Sequence, residues 1–128
     1  MARYLYWIPV VFYMGLIFYF SGKTGGEIHL PTPDYIAHGA EYFGLSWLVQ
    51  WAWSGSINSK PGRGFWVAIL ISFVYGISDE FHQSFVPGRS PDVMDLLADT
   101  VGATLAQVVW YGWKKLSSRV RLGLHLLI

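Results

Sequence analysis

A chain of 128 residues has room for one domain. Hydrophobic residues make up 53% of it and charged residues only 13%, and its mean hydropathy is positive, a balance that excludes an ordinary soluble domain and marks a membrane protein. The net charge of +1 identifies no partner, and the absence of cysteine excludes disulfides, thiolate metal ligands and a cysteine nucleophile.

Apolar runs at residues 4–20, 35–53, 65–85 and 92–113 predict an all-α polytopic fold with four transmembrane helices, each near the roughly 20 residues that cross a bilayer. The first run follows Arg3 as a secretory signal would. It is longer than a usual signal core, and Phe20-Ser21-Gly22-Lys23 is a poor cleavage pattern, so a retained helix is expected. The second helix opens with Asp34, His38, Glu41, Tyr42 and Leu45, spacings that make one polar stripe. In the third, Glu80 and Gln83 share a face with Gly76, while Asp79 and His82 form a separate pair; one of these pairs is expected to face the bundle.

The fourth helix carries Asp92, Asp95 and Asp99 within about 60° of one another. Pro91 suits a helix start, and aspartates there gain from the positive end of the helix dipole. Asp99 lies about 10 Å along the axis from Asp92. At that depth an ionised carboxylate must be paired, hydrated, coordinated or protonated, so Asp95 and Asp99 are expected to turn inward. Ala98, Gly102 and Ala106 supply a small-residue seam for close helix packing. Turn chemistry at residues 21–26, 54–62 and Pro87-Gly88 joins the helices.

Basic residues set the expected orientation. Arg3, Lys60, Arg63, Lys114, Lys115, Arg119 and Arg121 fall on one side of a four-helix arrangement, and only Lys23 and Arg89 on the other. Both termini and the central loop are therefore expected in the cytoplasm. All seven tryptophans fall in the same half as the basic majority, and all eight acidic residues, including Glu27, in the other. Residues 1–113 form the expected membrane domain. Residues 114–128, mixing Lys114, Lys115, Arg119 and Arg121 with Leu116, Val120, Leu122, Leu124, Leu126 and Leu127, read as a short basic amphipathic tail along the cytoplasmic leaflet.

The polar residues resemble the VanZ-like family of small bacterial membrane proteins. Its pattern places a His four residues after an acid, with an aromatic following, then Glu-x-x-Gln-x-Phe, an Arg after a Pro-Gly turn, an Asp six residues beyond that Arg, an Asn and a Gly. The matches are Asp34, His38 and Tyr42; Glu80, Gln83 and Phe85; Pro87, Gly88 and Arg89; Asp92 and Asp95; and Gly102. The resemblance covers about residues 5 to 113. Tyr35 stands where the family usually has Lys, and Asp99 where it usually has Asn. Membership implies a multi-pass protein of the bacterial cytoplasmic membrane, in a family whose name-giving member is associated with low-level teicoplanin resistance. It supplies no reaction.

Three functional readings follow. In the first, an outward-facing site at headgroup depth binds or processes a lipid headgroup or a lipid-linked envelope precursor. His38, Glu80 and Asp95 are its catalytic candidates, His38 as general acid or base, and Asp34, Gln83, Arg89, Asp92 and Asp99 are its binding residues. Arg89 would pair with Glu80 or Asp92, or hold a substrate phosphate. A divalent cation is the candidate cofactor: Asp34, Glu80, Asp95 and Asp99 suit Mg²⁺, Mn²⁺ or Ca²⁺, and His38 would admit Zn²⁺. In the second reading the polar residues are packing glue in a membrane scaffold or modulator. The third is a proton-coupled transporter, opposed by an inner half expected to be aromatic without a polar path. No Gly-x-Ser-x-Gly elbow, P-loop or dinucleotide fingerprint occurs. The short basic tail excludes a nucleic-acid partner, and His29 and His125 read as a loop and a tail residue.

Overall fold

A computed structural model describes residues 2–23, 34–60 and 62–125, with the backbone alone for 121–125. Thr24 to Gly26, Glu27, His29, Pro61, Leu126 and Leu127, and the side chains of Arg121, Leu122, Leu124 and His125, all named above, lie outside it. A 3₁₀ turn at Arg3–Trp7 leads into α1 (Ile8–Ser21), followed by α2 (Asp34–Ser56), α3 (Arg63–Gln83) and α4 (Val93–His125). All regular structure among the described residues is helical. Pro9 sits in the first turn of α1, where its missing N–H has no helical partner to lose.

Three stretches, Arg3–Ser21, Arg63–Gln83 and Val93–Val120, are long and apolar enough to cross a membrane. The remaining helix, α2, has 23 residues and thus a length of about 35 Å. It falls short in apolarity, and its place in the fold gives the reason: of the four helices α2 packs most extensively against the others. A helix surrounded by protein can carry polar residues that lipid would not tolerate.

Side-chain contacts set the helix directions. His38 pairs with Asp99 and Ser46 with Gln107, so α2 and α4 run parallel. The Tyr75 hydroxyl donates to the Met14 carbonyl and Phe18 stacks on His82, so α1 and α3 run parallel. Helices consecutive in sequence are then antiparallel, as short connections require. The apolar core is built from Val10 and Ile17 of α1, Tyr42, Leu45, Val49 and Ala52 of α2, and Ala68 of α3. Outward-facing Val11, Phe12, Leu70, Val74, Leu97, Val101 and Val108 remain exposed, as a lipid-solvated surface demands.

The closest packing is between α2 and α4. A Cβ on Gly102 would overlap the Gly39 carbonyl, and Ala103 and Ala106 are fully buried. The small-residue seam of α4 therefore brings two backbones into contact. Beside it, the buried Ser46 hydroxyl donates to the Ala103 carbonyl, and the Gln107 amide donates to Ser46 O at 3.0 Å and Oγ at 2.7 Å. This half of the bundle was expected to be lined by aromatics without a polar path. It also buries Ser46, Gln50, Ser72 and Gln107 on faces turned away from lipid, and of these Ser46 and Gln107 hydrogen-bond across helices. Gln107→Leu should lower stability by about 1–3 kcal/mol by removing both bonds from a buried carbonyl and hydroxyl, measurable as a drop in melting temperature in detergent.

α4 continues without interruption to His125, about 50 Å in all. Lys114, Lys115 and Arg119 are thus carried on the same helix as Asp95 and Asp99, through the residues read as a tail.

Candidate functional site

Every described carboxylate lies at one end of the bundle, where the N-terminal turns of α2 and α4 meet the C-terminal turns of α3. At its centre is His38, one turn into α2 and buried. Its Nδ1 lies 3.0 Å from Asp99 Oδ1 and its Nε2 lies 3.6 Å from Asp95 Oδ2. An ionised carboxylate only accepts, so the Nδ1 proton is donated to Asp99, which sets the ring orientation and turns Nε2 toward Asp95 and Glu80. Asp99 is fully buried, and Gly76 of α3 gives its Oδ2 room to approach that backbone: a Cβ there would lie 3.1 Å from it. Asp99 Oδ2 and the Tyr42 hydroxyl have no hydrogen-bond partner among the described residues.

Glu80 reaches the cluster from α3. Its Oε2 accepts the Asp92 backbone N–H at 2.7 Å, tying the end of α3 to the start of α4, while its buried Oε1 has no partner among the described residues. Ligating atoms of His38, Glu80 and Asp95 all lie within 4.8 Å of one another, close enough to hold a metal ion. The expected four-carboxylate set is divided differently: Asp99 is occupied by Nδ1, and Asp34 is exposed at the first residue of α2.

Beside this cluster a cavity of about 80 Å³ is lined by Lys23, Asp34, His38, Glu41, Asp79, Gln83 and Arg89, with Phe20, Ser21 and Ala37. Arg89 donates to the neutral Gln83 Oε1 at 3.1 Å, and Gln83 in turn donates to Asp79 Oδ2. Neither Glu80 nor Asp92, the partners considered from sequence, pairs with Arg89, whereas His38 pairs with both Asp95 and Asp99. Asp92 faces out of the site. Its Oδ1 accepts the Met94 N–H as the N-cap of α4, and its contribution to the cluster is its backbone N–H.

Two acids acquire a place that their sequence reading did not give them. Asp79 is buried with Gly76, Glu80 and Gln83, because these four positions span only about 100° of the helix, while His82 lies well outside that arc and stacks on Phe18 at 3.9 Å. The expected division into two competing pairs therefore fails. Glu41, read from sequence as part of the α2 polar stripe with His38 but not as a site residue, lines the cavity one turn after Ala37 and His38.

The profile of the VanZ/LLP1 family matches residues 6–115. The chain belongs to that family. The match takes in α1, α2, α3, α4 as far as Lys115 and every residue of the cluster, and with the three apolar spans it supports a VanZ-like membrane protein. Neither the curated proteins nor the solved structures include a significant match. Within this VanZ/LLP1 chain, Asp99 is the acceptor that orients His38, at the position where the resemblance leads one to expect Asn.

Proposed function

We propose that this protein holds the phosphate-bearing headgroup of an envelope lipid or lipid-linked precursor at the outer face of the bacterial cytoplasmic membrane, with α2 as a fourth span and both termini inside. The observation that carries the reading is the state of Arg89. In an end of the bundle crowded with carboxylates, its guanidinium hydrogen-bonds a neutral amide and lines a polar cavity. An arginine so placed keeps its charge available for an incoming oxyanion. The cavity is far smaller than the roughly 300–1,000 Å³ of sites that enclose a whole drug-sized ligand, so one headgroup enters while the rest of the lipid stays in the bilayer. Lys23 adds positive charge, and Asp34 and Glu41 complement a headgroup that also bears an amine. His38, buried and oriented, is the group for proton transfer.

Native mass spectrometry of the purified chain with phosphatidylglycerol, a polyprenyl phosphate and diacylglycerol tests this. The first two should bind in preference to the phosphate-free lipid, their ratio separating a bulk lipid from a lipid-linked carrier. Arg89→Ala should weaken binding by about tenfold or more, and equal binding by that variant sinks the reading. Sidedness is accessible because the chain has no cysteine. Asn58→Cys should react with an impermeant maleimide only from the cytoplasm, and Ser90→Cys only from outside.

A scaffold reading draws support from the Ser46 and Gln107 contacts, which tie α2 to α4 away from any cavity described above. The His38 cluster is poor glue by comparison, since Glu80, Asp95 and Asp99 repel one another around one imidazole.

A further inference from the structure

We propose that His38 Nε2, Glu80 and Asp95 bind a divalent transition-metal cation, with Zn²⁺ preferred over Mg²⁺. Their ligating atoms already converge within 4.8 Å. Ligands about 2.0–2.1 Å from a tetrahedral Zn²⁺ lie roughly 3.4 Å from each other. His38 Nε2 and Asp95 Oδ2 are 3.6 Å apart, which matches that edge and is too long for a hydrogen bond. Were the pair an imidazolium bonded directly to a carboxylate, the charge-assisted contact would close to about 2.7–2.9 Å.

The other ring nitrogen supplies a separate argument. His38 Nδ1 is bound by the fully buried Asp99, the carboxylate–histidine arrangement that fixes the tautomer of a metal-ligating imidazole and raises its basicity. Glu80 contributes a further observation. It is more than nine-tenths buried, its Oε2 is committed to the Asp92 N–H, and its Oε1 has no partner among the described residues. A buried carboxylate oxygen without a donor is costly, and a cation is the partner that three carboxylates around one imidazole lack. The nitrogen ligand favours Zn²⁺ over Mn²⁺, Mg²⁺ and Ca²⁺, which prefer oxygen ligands. Three protein ligands leave a fourth position for water or an anionic oxygen. His38 also lines the Arg89 cavity, so the cation would stand beside the headgroup site.

The site is argued from its own ligands and does not rest on the headgroup reading. Its test uses the untagged full chain in detergent, stripped with chelator and titrated calorimetrically with Zn²⁺, Mn²⁺ and Mg²⁺, alongside melting curves with and without Zn²⁺. One Zn²⁺ per chain is expected, bound at least about a hundredfold more tightly than Mg²⁺, with a rise in melting temperature. Glu80→Gln and Asp95→Asn, which keep shape and an accepting oxygen, should lose both the binding and the rise. Asp34→Asn should retain them. Failure of the wild-type chain to bind Zn²⁺, equal affinity for Mg²⁺, or equal loss in Asp34→Asn and Asp95→Asn each overturns the proposal. Loss of phosphate-lipid binding in Arg89→Ala with Zn²⁺ binding intact would leave both readings standing, and the converse result separates them.

Discussion

Gly102→Ala is expected to destabilise the protein by at least about 2 kcal/mol and to scatter the polar cluster. The added Cβ would fall on the Gly39 carbonyl, so backbone meets backbone and no side-chain rotamer can relieve the overlap. The helices must separate instead. α2 and α4 carry His38, Asp95 and Asp99, so moving one helix outward stretches the His38–Asp99 bond along with the Ser46–Gln107 contacts. Melting temperature and monodispersity in detergent are the measurements. Gly112→Ala and Gly15→Ala are the controls, because an added Cβ meets nothing at either position. They should be neutral or stabilising by up to about 1 kcal/mol, the helix-propensity difference. Equal loss in Gly102 and Gly112 variants would refute close packing as the cause.

Asp99→Ala should cost about 2–4 kcal/mol, because it removes the acceptor of a buried hydrogen bond and part of the packing around it. Asp99 is fully buried and its Oδ1 receives the His38 Nδ1 proton. Truncation leaves that donor unsatisfied and opens a void against Gly76. Asp99→Asn should lose no more than about 1.5 kcal/mol, because an amide oxygen still accepts from Nδ1. In a double-mutant cycle, adding His38→Ala to Asp99→Ala should cost much less than His38→Ala alone. Additive losses would show that the two residues act separately. An Asn variant as damaged as Ala would mean that the charge of Asp99, and not its accepting oxygen, holds His38.

The membrane character, the helical class and the family were legible because each depends on composition or local spacing. Runs near 20 residues mark apolar helices wherever they lie, and the i, i+3, i+4 placements of Asp92, Asp95 and Asp99 make a stripe without reference to any neighbour. The same local logic misassigned Asp79 and His82. An angular position says which residues share a face but not how wide a neighbouring surface is, and the α3 face from Asp79 to Glu80 is buried across its whole width. Asp92 misled for a related reason. It shares the angular range of Asp95, yet as the N-cap its side chain folds back onto the Met94 N–H.

By itself the sequence determined an all-helical membrane chain with acids at one end, most basic residues at the other, and a short list of polar side chains that lipid would reject. Only the tertiary structure decided which partners those side chains take. The His38–Asp99 bond spans 61 positions of the chain, and the Gln107–Ser46 bond spans 61 as well. Such pairs depend on the parallel register of α2 and α4, which close contact at Gly39 and Gly102 sets. Local periodicity carries no information about register between helices distant in sequence, whereas the cost of a buried carboxylate depends wholly on it.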